Sequence, residues 1–162
     1  MPTFNANEMF RMAEQMERNG SAFYARAAEL AEHPDVREAL SDLATWELQH
    51  EKTFYEMRNM LSPDEKAQIP GDPQSSELAR CYADGKVFKL DVDPAKLADQ
   101  LGTLEDILEQ AISMEKDSII FYLGVRRFVP LDRGGDRIQA IIEEEMSHIV
   151  RLSDILIAIE GQ

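Results

Sequence analysis

Glu17, Glu47 and His50 recur as residue types at Glu115, Glu145 and His148, each displaced by 98 positions. Each half of the chain offers one carboxylate and then a Glu-x-x-His. Carboxylate oxygens and imidazole nitrogens in this mixture are ligands for divalent transition metals. Residues three apart on a helix share a face, so each Glu-x-x-His can grip one cation with both side chains. A single Glu-x-x-His carries little information, because both residue types are common on helices. Six such residues in one register imply a site assembled by both halves, sized for two metal ions.

The surroundings repeat with the ligands. Met16-Glu17-Arg18-Asn19-Gly20-Ser21-Ala22-Phe23-Tyr24 aligns with Met114-Glu115-Lys116-Asp117-Ser118-Ile119-Ile120-Phe121-Tyr122. An internal duplication follows, of a two-helix unit too small to bury its own apolar face. Gly20 and Ser118 lie one turn beyond Glu17 and Glu115. Small residues there leave room for a water, dioxygen or peroxide, or else allow close helix packing. Tyr24 and Tyr122 lie two turns beyond, where a phenol can hydrogen-bond a ligand carboxylate or supply an electron, or simply fill the core.

Apolar periodicity supplies the elements that position these groups. Phe10, Ala13, Glu17, Gly20, Tyr24, Ala27 and Ala31 form one helical seam; Leu40, Leu43, Glu47, His50, Phe54, Met57 and Leu61 form a second. Shifted by 98, the same seams run through Leu108, Ala111, Glu115, Ser118, Tyr122 and Val125, and through Ile138, Ile141, Glu145, His148, Leu152, Ile155 and Ile159. Helices are expected over about 5–33, 35–61, 103–128 and 135–160. Pro34 ends the first, Asp35 with Glu38 caps the second, and Thr103 with Asp106 caps the third. Residues 62–102 form a crossover, with a short helix that starts at Ser62-Pro63-Asp64-Glu65 and is broken at Pro70-Gly71-Asp72-Pro73, further short helices at 77–83 and 94–101, and an extended stretch over 86–92. The expected fold is all-α: a single domain over 1–162, a ferritin-like four-helix bundle made of two duplicated hairpins and one long crossover.

Burying four carboxylates on apolar seams is costly unless cations neutralise them, and two divalent ions would do so. Glu143 and Glu144 step around the helix from Glu145 and are expected to be solvated or to stand behind a ligand. His33, at a helix end, is expected to be solvated. The methionines Met9, Met12, Met16, Met57, Met60, Met114 and Met146 are expected as core filler. The net charge of −14 excludes the basic footprint of a nucleic-acid binder and disfavours anionic membranes. The single cysteine, Cys81, allows no intrachain disulfide and no CxxC metal site. The N-terminal residues show neither a basic region nor an apolar run, and no stretch approaches a membrane span, so a cytoplasmic protein is expected.

At Glu17-x-x-Gly20-x-x-Phe23-Tyr24, Glu47-x-x-His50, Glu115-x-x-Ser118-x-x-Phe121-Tyr122 and Glu145-x-x-His148, the chain resembles the rubrerythrin-like branch of the ferritin-like di-iron carboxylate superfamily. Bacterioferritin shares the ligand set. The resemblance implies that Glu47 and Glu145 bridge two iron ions, that Glu17 and Glu115 are terminal ligands, and that His50 and His148 each bind one ion. It implies oxidation of a diferrous centre by hydrogen peroxide or dioxygen, as a peroxidase or ferroxidase. Full-length rubrerythrins carry a rubredoxin module with two CxxC pairs, absent from these residues, so the electron donor would be another protein. Ser118 stands where rubrerythrins have an additional Glu, which favours simple ferrous oxidation or oxygen sensing over peroxidase turnover. The alternatives are an iron-storage cage and a non-catalytic module holding zinc or manganese in the same ligands. Leu48, where bacterioferritin has a haem-ligating Met, argues against a haem-binding cage. A homodimer is expected, with exchange of helix pairs between protomers open to a chain of two linked hairpins.

Overall fold

The computed structural model describes residues 5–68, 77, 93–127 and 129–161. Every regular element among them is helical: α1 (Ala6–Leu30), α2 (Pro34–Met60), α3 (Pro63–Ala67), α4 (Pro94–Gln100), α5 (Leu104–Arg126), a 3-10 turn (Leu131–Arg133) and α6 (Gly135–Glu160). The four long helices are the four expected from the seams. No helix among the described residues is long and apolar enough to cross a membrane.

Local chemistry sets the boundaries. Asn5 opens α1 with a reciprocal capping box: its side chain accepts from the Glu8 amide, and the Glu8 carboxylate accepts from the Asn5 amide. The expected box of Thr103 and Asp106 opens α5, and Ser62 with Glu65 opens α3. Two expectations at the first turn need correction. α1 stops at Leu30 rather than near His33, because Ala31 is already extended and the Arg37 guanidinium takes its carbonyl at 2.9 Å. Asp35 does not cap α2; His33 occupies that position without a side-chain bond, and Pro34 is the first helical residue. Proline is well suited there because its missing N–H would lack a helical partner anyway. His33 is exposed, as expected.

α1 and α2 form one antiparallel hairpin, joined inside by the Ser21 hydroxyl donating to the Ala44 carbonyl at 2.8 Å and by a largely buried Arg58–Glu14 ion pair. α5 and α6 form the second hairpin. Its turn depends on Gly134, whose φ of +107° is a left-handed conformation open to glycine; a Cβ there would also lie 2.8 Å from Met57 Cε. Aromatic rings lock the hairpins together: Phe10 meets Phe54 at 6.3 Å, and Phe54 meets Tyr122 of the other hairpin at 4.8 Å. Burying each such ring contributes about 1.5–3 kcal/mol. α4 lies along α1, tied by Arg26 to Asp99 at 2.7 Å. The helix and extended stretch expected at 77–83 and 86–92 lie outside the described residues, save for Glu77, which is helical.

The seam residues are buried in α1 and through Met57 in α2; Ser118, Leu61 and Ile155 are half-buried. Two methionines contradict the expectation of core filler. Met60 is 78% exposed and Met146 47% exposed. Met60 is the last residue of α2, and Met146 immediately follows the inward-facing Glu145, so helical geometry turns it outward.

Candidate metal centre

All six expected ligands meet midway along the bundle, and none is more than 4% exposed. Glu17 comes from α1, Glu47 and His50 from α2, Glu115 from α5, and Glu145 and His148 from α6. They form two groups, each able to surround an ion: Glu17, Glu47, His50 and Glu145, and Glu47, Glu115, Glu145 and His148. Within each group the ligand atoms lie within 4.8 Å of one another. Glu47 and Glu145 belong to both. The Glu145 carboxylate splits between the halves, with one oxygen 3.0 Å from His50 Nδ1 and the other 2.9 Å from His148 Nδ1. Both imidazoles thus turn the same nitrogen inward, and their rings lie nearly parallel at 5.7 Å.

Protein groups alone leave this cluster unsatisfied. Glu17 Oε2 and Glu47 Oε1 are buried without a hydrogen-bond partner. They face His50 and His148 Nδ1 at 3.5 and 3.3 Å, positions from which a cation between them would be reached by oxygen and nitrogen together. Burial, then the repulsion of neighbouring carboxylates, raises Glu17 and raises Glu47 strongly, and pushes Glu145 up to about 8. Glu115 moves down instead, because hydrogen bonds with His148 and Glu145 outweigh its burial. Burial alone would lower the histidines, but the carboxylates facing them push both up to about 12. In the absence of metal, protons hold the place of cations. The donor set, the orphaned oxygens and the matched geometry fit two divalent ions.

The tyrosines cross between the halves. Tyr24 donates to Glu115 Oε1, and Tyr122 donates to Glu17 Oε1. Each phenol therefore steadies the outer carboxylate of the opposite hairpin, and burial with adjacent carboxylates raises both phenols well above their usual value. Their role in the structure is that of hydrogen-bond donors to carboxylates. Tyr24→Phe should accordingly weaken metal binding at the His148 group, and Tyr122→Phe at the His50 group, each by about tenfold. Each variant should also lose roughly 1–2 kcal/mol of stability. Metal titrations and thermal melts of the two variants check this, and unchanged affinities in both would refute it.

Beside the cluster, Gly20, Tyr24, Glu47, Glu115 and Ser118 line a cavity of about 10 Å³, room for about one water-sized molecule. A Cβ on Gly20 would come within 3.1 Å of Glu47 Oε2. Gly20 therefore serves both readings of the small residues, allowing close approach and leaving space. A larger groove of about 850 Å³ opens at the end of the bundle near Leu30, His33, Leu104 and Ile159 and contains none of the six ligands.

The model of the rubrerythrin family matches residues 8–156, a span that includes all six ligands. The chain belongs to the rubrerythrin family. In three dimensions it is similar to a Thermotoga maritima protein described as a ferritin-like diiron-carboxylate protein, with a TM-score of 0.73 and 23% identity over 96% of this chain and 97% of that one. That likeness supports the fold, an all-α bundle of ferritin-like type. No curated protein matches significantly in sequence.

Two residues behind the ligands of this rubrerythrin-family site were not singled out by spacing alone. Glu144, expected only as solvated or standing behind a ligand, accepts from His50 Nε2 at 2.6 Å. Trp46, to which the seams assigned no role, stacks on His148 with ring centroids 5.3 Å apart and planes 9° from parallel. A signal was present: residues 46 and 144 are equivalent in the repeat, and there the repeat fails.

Proposed function

We propose that this chain holds two iron ions in the paired Glu/His groups and serves as a di-iron oxidoreductase, with hydrogen peroxide or dioxygen as oxidant. The observation that carries this reading is the sharing of Glu47 and Glu145 by both groups, because two shared carboxylates would hold two ions side by side. A diferrous pair supplies two electrons, one from each ion, which with two protons suffices to convert one peroxide to two waters.

The chain's own residues supply the rest. Glu17 and Glu115 close the outer ends, and His50 and His148 present Nδ1. Tyr24 and Tyr122 keep the outer carboxylates from swinging. The apolar walls exclude bulk water, and the small cavity beside Gly20 and Ser118 leaves room for about one water-sized molecule. Electrons to restore the centre would come from a separate donor protein. Iron storage requires a large shell; zinc or manganese in the same ligands would give a binding module without redox turnover.

Anaerobic ferrous titration followed by hydrogen peroxide tests the reading. Two irons per chain, and near-ultraviolet absorption of a diferric product after about one peroxide per pair, are expected. Glu145→Ala should abolish that signal. Two bound ions that never respond to oxidant would refute an oxidoreductase and leave a binding module. Elution of the native protein as a particle of about two dozen subunits would favour storage.

A further inference from the structure

The duplication is faithful in the ligands and broken behind them. On one side, the inner nitrogen of His50 faces the cluster while its outer nitrogen donates to Glu144 at 2.6 Å. The Glu144 side chain is 61% exposed, but its carboxylate touches the imidazole directly. On the other side, position 46 is tryptophan. The carboxylates that reach His148 all meet Nδ1, from Glu47, Glu115 and Glu145. Instead of a carboxylate behind it, His148 has the flat face of Trp46. The Arg151 guanidinium lies over that same indole at 5.0 Å and is anchored to Asp42 at 3.0 Å. Positions 53 and 140, the repeat partners of Arg151 and Asp42, are Thr53 and Ala140, so this arrangement has no counterpart in the other half.

These differences act on metal binding in one direction. A carboxylate accepting from the outer N–H fixes the tautomer that presents a lone pair inward, restrains the ring, and makes the imidazole a stronger donor. An anion close to the His50 position also favours a cation there. Among the described residues no carboxylate meets the outer nitrogen of His148, whose ring is flanked by Trp46 and His50, and Arg151 over Trp46 is paired with Asp42, so no net negative charge is added there. We propose that the two metal positions are unequal: the His50 position binds its ion first and more tightly, Glu144 is the positioning residue responsible, and the His148 position is the weaker, exchangeable one. This rests on the reading of the cluster as a two-metal site, but not on its redox activity.

Trp46 is the only tryptophan in the chain, and it touches one histidine of the pair, so its emission reports occupancy of the His148 position. The experiment is an anaerobic titration of the full chain with Co²⁺ alone, following bound metal by dialysis and Trp46 emission together. The first equivalent should bind with little change in emission, and the second, at least about tenfold weaker, should produce most of the quenching. Glu144→Gln, which keeps the length and an acceptor oxygen but not the charge, and Glu144→Ala should weaken the first step by about tenfold or more. Emission should then fall from the first equivalent onward. A melting curve showing the variants folded separates this effect from a structural one. Two ions binding to the wild type in one unresolved step, with emission falling in proportion from the start, would overturn the inequality while leaving the two-metal site standing. Wild-type behaviour of both Glu144 variants would overturn the role of Glu144. Failure to bind two ions at all would instead refute the two-metal reading itself.

Discussion

Glu47→Leu should abolish paired metal binding and at the same time raise the melting temperature of the metal-free protein. Glu47 is buried, belongs to both ligand groups, and leaves Oε1 without a hydrogen-bond partner. Without metal it is a liability, since burial and the neighbouring carboxylates Glu115 and Glu17 hold its carboxyl far above its usual range. Leucine fills a similar volume with no polar atom to satisfy. Replacing buried charged clusters by apolar side chains of like size is neutral to stabilising by about 1–4 kcal/mol, which for a domain of this size is on the order of 5 °C. His148 keeps Glu145 and Glu115 as partners. With metal present the order should invert, because only the wild type gains the binding energy. Thermal melts with chelator and with added metal measure both limbs. A metal-free variant that melts below the wild type would contradict the account of the cluster as unsatisfied.

The second large effect is a divergence of metal-free and metal-loaded stability with pH. His50 and His148 are raised from 6.5 to about 12, and Glu145 from 4.5 to about 8. A raised group contributes stability that is complete below its unfolded value and is lost as pH climbs through its folded value. For Glu145 the loss runs from about pH 4.5 to 8; for the histidines it begins above about 6.5 and continues toward 12. Glu17 and Glu47 are raised and add in the same sense. Glu115 is lowered, so its contribution is present above pH 4.5 and lost only as pH falls below that. The chelated protein should therefore lose stability between pH 5 and 9. Metal must displace the same protons, so its affinity grows as pH rises. The gap in melting temperature between loaded and stripped protein should widen across this range, by on the order of 10 °C. Parallel curves would show that the cluster does not hold these protons.

Much of this molecule was legible before its structure, for identifiable reasons. The six residues of the candidate site were readable because a constant offset of 98 ties them together, and the long helices because their seams keep a strict period. Capping was legible where the box is reciprocal, as at Thr103 and Asp106, but not at Asp35, where Pro34 took the first helical position and moved the cap to His33. Met146 was misjudged because residue type was weighed above phase. The destination of each tyrosine was beyond sequence, since spacing along a helix does not say which neighbouring helix a side chain meets. Glu144 was expected to be solvated or to stand behind a ligand, though not against His50, and Trp46 escaped because attention to what the repeat preserves passes over the positions where it departs.

The crossed bonds of Tyr24 to Glu115 and Tyr122 to Glu17 are isologous: each half gives to its counterpart what it receives. Two identical copies of one hairpin, related by a two-fold axis, would make the same pair of bonds and assemble the same six ligands. A homodimer of that kind could never place tryptophan behind one histidine and glutamate behind the other, because any change in one copy appears in both. Joining the copies into one polypeptide removes that restriction. The long connection between the hairpins thus has a consequence beyond tethering: it lets a site of two-fold design become left- and right-handed in its chemistry.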